Sequence, residues 1–257
     1  MLTERNETLQ GGAQQWGELF GAIADDFAML ARLHDREPDT DLLGMLKQQR
    51  FPNGLGLRLN TGLGEEALAL LEHAVACLPD HLDEVALNEL AADYASIYLN
   101  HSLQASPEES VWVDEENLAY QQSMFQVRGW YRRYGLSVPN WRLRPDDHLV
   151  FELQFIEFLF RHAVTGDDLK AAAEFMDEHL LRWITPFSRR VSRRCSTAYF
   201  AGIAVLTGAY CEEVRDLLAE VIGEPRPSAE AIELRMKPAR VQAEAPLQYM
   251  PGMGPAV

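Results

Sequence analysis

Asp147, His148 and Glu152 are the residues of this chain whose types and spacing suit proton chemistry. Positions 148 and 152 lie one helical turn apart and share a face. A carboxylate beside a histidine fixes its tautomer and raises its pKa, which is how a general base is assembled. The same residues also suit a helix start, because an aspartate at 146 or 147 can accept hydrogen bonds from free N–H groups of the first turn. The residues alone leave three readings open: a catalytic dyad, a helix cap, and a hinge or binding element. Catalysis lacks a nucleophile, since the chain has no GxSxG, no HExxH and no suitably placed cysteine. A metal set of Asp147, His148, Glu152 and Glu157 lacks recognisable ligand spacing. His162 and His179 stand far along the chain. The glycine pairs Gly54/Gly56 and Gly62/Gly64 belong to no GxGxxG or GK[ST] pattern and read as a flexible loop between helices.

Two other clusters carry charge or aromatic surface. Arg189, Arg190, Arg193 and Arg194 form the one dense basic run, with 189/193 and 190/194 paired by helical spacing. A solvated face is its plainest reading, and contact with an acidic partner the alternative. Tyr94, Tyr98, Trp112 and the aromatics of 120–134 are mostly expected in the core. Trp112 differs, because it lies among Glu108, Glu109, Asp114, Glu115 and Glu116. An apolar contact ringed by negative charge suits a basic, partly apolar peptide.

The elements that must position these residues read as helices. Apolar residues recur at three and four over 16–33, and shorter or similar patterns follow over 39–49, 65–77, 83–99, 117–134, 148–162, 167–191 and 194–222. The stretch 50–64 reads as a loop and 108–114 as a short loop. Residues 137–147, with Pro139 and Pro145, read as the interior hinge. No strand alternation or fixed repeat is present. The expected fold is an all-α bundle of two helical halves, 16–136 and 149–222, joined by a hinge at 137–148. A flexible start, 1–15, and a proline-rich mobile tail, 223–257, flank it.

Bulk properties set the outer limits. The 257 residues are 47% hydrophobic, enough for a sizeable core. Acidic residues number 39 against 23 basic, for a net charge of −16, which disfavours non-specific nucleic-acid binding and suits a basic partner. No signal peptide is visible and no apolar run reaches the roughly 18 residues of a membrane span. Cys77, Cys195 and Cys211 fit free thiols in the cytoplasm.

The motif Arg144-Pro145-Asp146-Asp147-His148-Leu149 with Glu152 resembles the central Glu-Pro-x-Asp-His-[Ile/Leu] signature of the TorD/DmsD/NarJ family of redox-enzyme maturation chaperones. The TorD-like branch is the nearest in pattern. Asp93-Tyr94-x-x-x-Tyr98-Leu99, Pro107-x-x-Ser110-Val111-Trp112, Val127-x-x-Trp130-Tyr131-x-x-Tyr134-Gly135-Leu136 and His179-Leu180-x-x-Trp183-x-x-x-Phe187 resemble the family's flanking patterns in order. The likeness covers roughly 16–218. It departs at Arg144, where the family has Glu, so that position does not inherit an acidic role. The resemblance implies an all-helical, non-enzymatic, cytoplasmic chaperone without a cofactor. It implies binding of a twin-arginine signal peptide and of the apo form of a molybdenum-containing oxidoreductase until its cofactor is inserted. Peptide-binding residues carried over or added by position are Pro145, Asp147, His148, Glu152, Trp112, Tyr94 and Tyr98. Monomers and domain-swapped homodimers both occur in the family. The competing expectations are a helical metal-dependent or general-base hydrolase built on Asp147, His148 and Glu152, and an adaptor docking through the arginine run at 189–194.

Overall fold

Apolar residues at helical spacing, with few strand-forming runs, produce helices throughout a computed structural model that describes residues 2–79 and 83–237. In order they are α1 (Leu2–Asp35), α2 (Thr40–Gln49), α3 (Gly62–Ala76), α4 (Glu84–Tyr94), the one-turn α5 (Ser110–Val113), α6 (Gln122–Arg133), α7 (Leu149–His162), α8 (Gly166–Glu178), α9 (Ile184–Arg194), α10 (Ala198–Ile222) and α11 (Ala229–Met236). Among the described residues the only extended pairing is an isolated antiparallel bridge between Glu108 and His148. The expected all-α class is therefore present.

Side-chain caps set many of the starts. Asp39, Thr61, Asp83 and Thr197 each accept a bond from a first-turn N–H, and Thr165 and Asp168 form a reciprocal capping box on α8. Several ends differ from the periodicity. The helix expected over 117–134 starts only at Gln122, because Asn117 and Tyr120 take positive φ angles of 53° and 64°. The long helix expected over 167–191 breaks at His179, passes through a 3₁₀ turn at Leu180–Arg182 and restarts as α9. Pro186 requires this: it is tolerated in the first turn of α9 but not inside a continuous helix. The one-turn α5 replaces the loop expected at 108–114. Helix α1 begins at Leu2, so helix covers most of the 1–15 stretch read as a flexible lead-in.

Contacts divide the chain into one unit up to Arg226 and a second from Pro227. In the first, α1 lies along α7, while α3 and α9 pack on α10, so helices of the two sequence halves interleave. Phe20 and Phe27 of α1 stack on Phe160 of α7 with ring centroids 5.8 Å apart, and Phe27 meets Tyr210 of α10 edge-on at 5.5 Å. Phe27 and Phe160 are buried, each stabilising the packing by about 2–3 kcal/mol. The loop before α3 is held in place. Asp26 of α1 accepts bonds from the N–H groups of Gly56 (2.7 Å) and Leu57 (3.4 Å), and Glu213 of α10 from Asn60 N–H (2.8 Å) and the Thr61 hydroxyl (2.6 Å). The glycine there serves close approach: a Cβ on Gly56 would sit 2.5 Å from Ala22 Cβ.

The second unit holds α11, inside the stretch expected to be a proline-rich tail. Between Pro227 and Pro238 no residue breaks a helix, and Ser228 caps it through a 3.2 Å bond from Ala231 N–H. The part of the expected tail at 238–257 lies outside the described residues.

Candidate functional site

Arg144, Asp146, Asp147 and His148 of the segment 144–149 are each tied to a different helix. Arg144 donates to the carboxylate of Asp35 and, at 2.9 Å, to its carbonyl, so it closes the C-terminal end of α1. Tyr94 donates to the same carbonyl at 2.7 Å. Asp146 is buried and paired with Arg128 of α6 (2.8 and 3.2 Å), while its carbonyl accepts the Tyr131 hydroxyl at 2.9 Å. Asp147 is buried, and its Oδ2 accepts Ser110 N–H at 2.9 Å, the first N–H of α5. Its carbonyl takes Glu109 N–H at 3.0 Å, and Leu149 N–H donates to Pro107 at 2.8 Å. The motif is thus zipped to 107–110 by backbone.

An aspartate cap for the next helix is not what forms. His148 is the N-cap of α7, accepting Val150 N–H on Nδ1 at 3.2 Å. That fixes the tautomer with the proton on Nε2. Burial holds the imidazole well below its usual pKa, with Arg144, His34 and His101 acting in the same direction. The neutral ring is what the cap needs. Asp147 therefore does not raise the basicity of His148; it faces the other way, toward α5.

Beneath the segment sits a buried acid cluster that joins α5, α7, α8 and α9. Glu109 meets His179 Nδ1 at 2.9 Å and Arg182 at 3.3 Å, and Glu152 accepts the Trp183 indole N–H at 3.1 Å. Asp147 Oδ1, Glu152 Oε1 and His179 Nε2 have no hydrogen-bond partner among the described residues. Burial pushes the Asp147 carboxyl up to about 7 against the pull of its Ser110 bonds, and Glu109 and Glu108 add to the rise. Glu152 is held well above the carboxylate range by burial, then by Glu109 and Asp147. Like charges this close disfavour full ionisation. Glu109, His179 and Trp183 have the contacts of a positioning network that the sequence reading gave no role. By sequence Glu109 stands among the acids around Trp112, His179 is set aside as a metal ligand, and Trp183 is only part of a pattern.

On the solvent side of the segment is a cavity of about 930 Å³. Pro145, His148 and Tyr98 stand on its wall, with Arg144, Glu108 and Arg190. Tyr98 is anchored from behind by His34, whose Nδ1 lies 2.5 Å from the Tyr98 hydroxyl. Thr207 donates to the Ile203 carbonyl and so accepts from His34 Nε2, which leaves Nδ1 to accept from Tyr98. Leu99, Leu118, Tyr120 and Leu143 line the cavity while 62%, 55%, 43% and 82% exposed. Glu115 and Glu116 are exposed in the same loop.

Of the residues expected to meet a peptide, Pro145, His148 and Tyr98 come together at this cavity. Asp147, Glu152 and Tyr94 lie behind the wall. Trp112 is half-buried, donates to the Ser106 carbonyl at 2.9 Å and carries Arg190 4.4 Å above its ring, so its face is already covered by a cation. Arg190 and Arg194 also hold the carbonyls of Gln104 (2.7 Å) and Leu103 (2.8 Å), so one edge of the arginine run fastens a loop. The residues of the metal alternative do not converge. Glu157 turns to Arg161 at 2.6 Å, and among the described residues no three His, Cys, Asp or Glu groups are arranged to hold a metal. No helix of the described residues is long and apolar enough to cross a membrane.

A family model described as nitrate reductase delta subunit matches residues 58–189, which include the motif, the acid cluster and most of the cavity wall. Chaperone protein TorD of Vibrio cholerae serotype O1 (strain ATCC 39541 / Classical Ogawa 395 / O395) is 27% identical over 206 residues, covering 76% of this chain and 85% of that protein. The TorD chaperone of Shewanella sp. (strain MR-4) is 25% identical over 202 residues, with 76% and 93% covered. That of Pasteurella multocida (strain Pm70) is 30% identical over 125 residues, with 48% and 61% covered.

Proposed function

We propose, from the premise that this chain belongs to the nitrate reductase delta subunit family and is a chaperone of the TorD/NarJ kind, that it binds the twin-arginine signal peptide of a molybdenum-containing oxidoreductase. In this reading it works in the cytoplasm, in the TorD-like manner, as a monomer or homodimer. It holds the apoenzyme until cofactor insertion and catalyses no reaction itself. The observation that carries the reading is the cavity beside the motif, with Leu99, Leu118, Tyr120 and Leu143 exposed around it. Large apolar side chains clustered in solvent mark a surface made for a partner. A leader with an apolar stretch fills that volume, and its arginines meet Glu115 and Glu116, which are exposed in the adjoining loop.

The motif's part is then positional. Asp147 fixes α5, Asp146 fixes α6, Arg144 fixes the end of α1, and His148 starts α7. Together they set the distance between the cavity walls. Calorimetric titration of the intact chain with a synthetic twin-arginine leader tests this. Leu118→Asp with Leu143→Asp is expected to weaken binding at least tenfold, about the loss expected from burying less apolar surface. Unchanged affinity in that double variant rejects the cavity. No binding of any twin-arginine leader by the native chain rejects the client class.

A further inference from the structure

A second concave surface, of about 590 Å³, lies between α3, α9 and α10 and shares no lining residue with the motif cavity, whose wall α9 reaches only through Arg190. Its floor is built of small side chains: Thr185, Ser188 and Ser192 from α9, and Val205, Gly208 and Ala209 from α10. Gly208 is required where the two helices approach, since a Cβ there would stand 2.8 Å from Ser188 Oγ. Small residues let another backbone come close. One wall is apolar, with Leu63 of α3 75% exposed and Leu70 beside it 37% exposed. The rim is acidic. Glu66, Glu212, Glu213 and Asp216 line the groove against the single cation Arg189. Arg226 neutralises Glu212, and the loop hydroxyl and N–H groups of Asn60 and Thr61 satisfy Glu213, which leaves the surface net negative.

From the depth, the small-residue floor, the exposed leucine wall and the acidic rim, we propose that this groove is a docking site for an amphipathic helix of a partner protein. That helix has leucine-like residues on one face and Lys or Arg flanking them. Helix-in-groove recognition uses this geometry: apolar anchors at i, i+3, i+4 and i+7 enter the slot, and rim charge selects the partner. The net negative rim repels an acidic partner helix. The site is independent of the motif cavity and stands whether or not that cavity holds a leader.

The test uses the full-length chain and a fluorescein-labelled designed helix of about 18 residues, leucine on one face and lysine on the other. Two controls have the same composition in scrambled order, and glutamate in place of lysine. Anisotropy titration is expected to show binding of the amphipathic lysine helix at least tenfold tighter than either control. Ala209→Arg fills the floor and is expected to abolish the difference, while Leu143→Asp at the motif cavity leaves it unchanged. Because Ala209→Arg places a long side chain on α10, the pair Glu66→Lys with Asp216→Lys serves as the second variant, with unchanged thermal melting as the condition. That pair is expected to reverse the preference toward the glutamate helix. Equal binding of the scrambled peptide, or binding insensitive to both groove variants, overturns the proposal. So does an equilibrium sedimentation result in which the native chain dimerises and Ala209→Arg makes it monomeric, since the occupant is then a second copy.

Discussion

At the scale of single residues the motif is a set of ties, and its chemistry is that of burial. Asp147 has a carboxyl pushed up to about 7, from an ordinary value of 3.8, because burial penalises its charge. A folded-state pKa raised above the unfolded value gives stability that is complete below about pH 4 and is lost as pH rises through about 7. Glu152 is shifted in the same direction by burial and by the neighbouring Glu109 and Asp147, and adds to the loss. The melting temperature of the native chain is therefore expected to fall between pH 5 and pH 8. Asp147→Asn, which keeps an acceptor for Ser110 N–H, is expected to flatten that fall by at most about 4 kcal/mol of pH-dependent stability. Thermal melts across the range decide this, and an equally steep fall in the variant places the titration elsewhere. Arg144 is the other instructive residue. It replaces the family's glutamate, and its partner is Asp35, 109 positions earlier. Arg144→Glu removes both bonds to Asp35 and sets two carboxylates face to face. The pair is 30% and 38% exposed, so solvent screening limits the cost to about 1–2 kcal/mol, read as a lower urea midpoint with unchanged slope. The sequence announced that Arg144 was unusual. It gave no means of finding Asp35, because no local spacing links an end of α1 to an interior hinge.

At the scale of elements, what periodicity reported and what it missed separate by physical cause. The existence and order of α1, α2, α3, α4, α7 and α10 follow from apolar spacing, a local signal and so a legible one; the caps Thr61 and Thr197 were not read, and the helices expected from 65 and 194 start at Gly62 and Ala198. The break at His179 was not found, although Pro186 lay inside the expected helix and required one within a turn before it. The break lets His179 reach Glu109, which is a contact across 70 positions. The exposed apolar rim was equally hidden: Leu99, Leu118 and Leu143 fall in segments whose packing is decided by neighbours remote in sequence. The loop at 50–61 shows the same limit. It read as flexible because of its glycines, yet Asp26 and Glu213 hold it from α1 and α10. Gly56→Ala is expected to cost about 1–3 kcal/mol, since its Cβ would meet Ala22 Cβ at 2.5 Å and the Ala22 carbonyl carbon at 2.9 Å. Chemical denaturation measures it. A loss of less than about 0.5 kcal/mol, the range of neutral surface changes, means the loop moves aside without consequence.

At the scale of the whole molecule, a charge of −16 acts on every encounter. The basic groups are largely used internally: Arg128, Arg144, Arg182, Arg190, Arg194 and Arg215 each bind a carboxylate or carbonyl of the same chain. The field outside is therefore acidic and draws in basic segments before any contact forms. Both surfaces described above depend on this in different proportions. The motif cavity has Arg144, Arg190 and Glu108 held by internal bonds on its wall and apolar side chains around it, with the exposed acids Glu115 and Glu116 in the adjoining loop. Binding of a twin-arginine leader there is expected to lose its electrostatic part as salt rises, while the apolar part remains. Between 50 and 500 mM salt the Debye length falls from about 14 to about 4 Å. Stopped-flow association is expected to slow about tenfold over that range, with dissociation changing less than about twofold. Glu115→Gln with Glu116→Gln is expected to remove part of the salt dependence and leave the apolar contribution untouched. If the salt effect appears chiefly in dissociation, or if the double variant keeps the full dependence, the arginines bind to some other carboxylates and the exposed loop is not their partner.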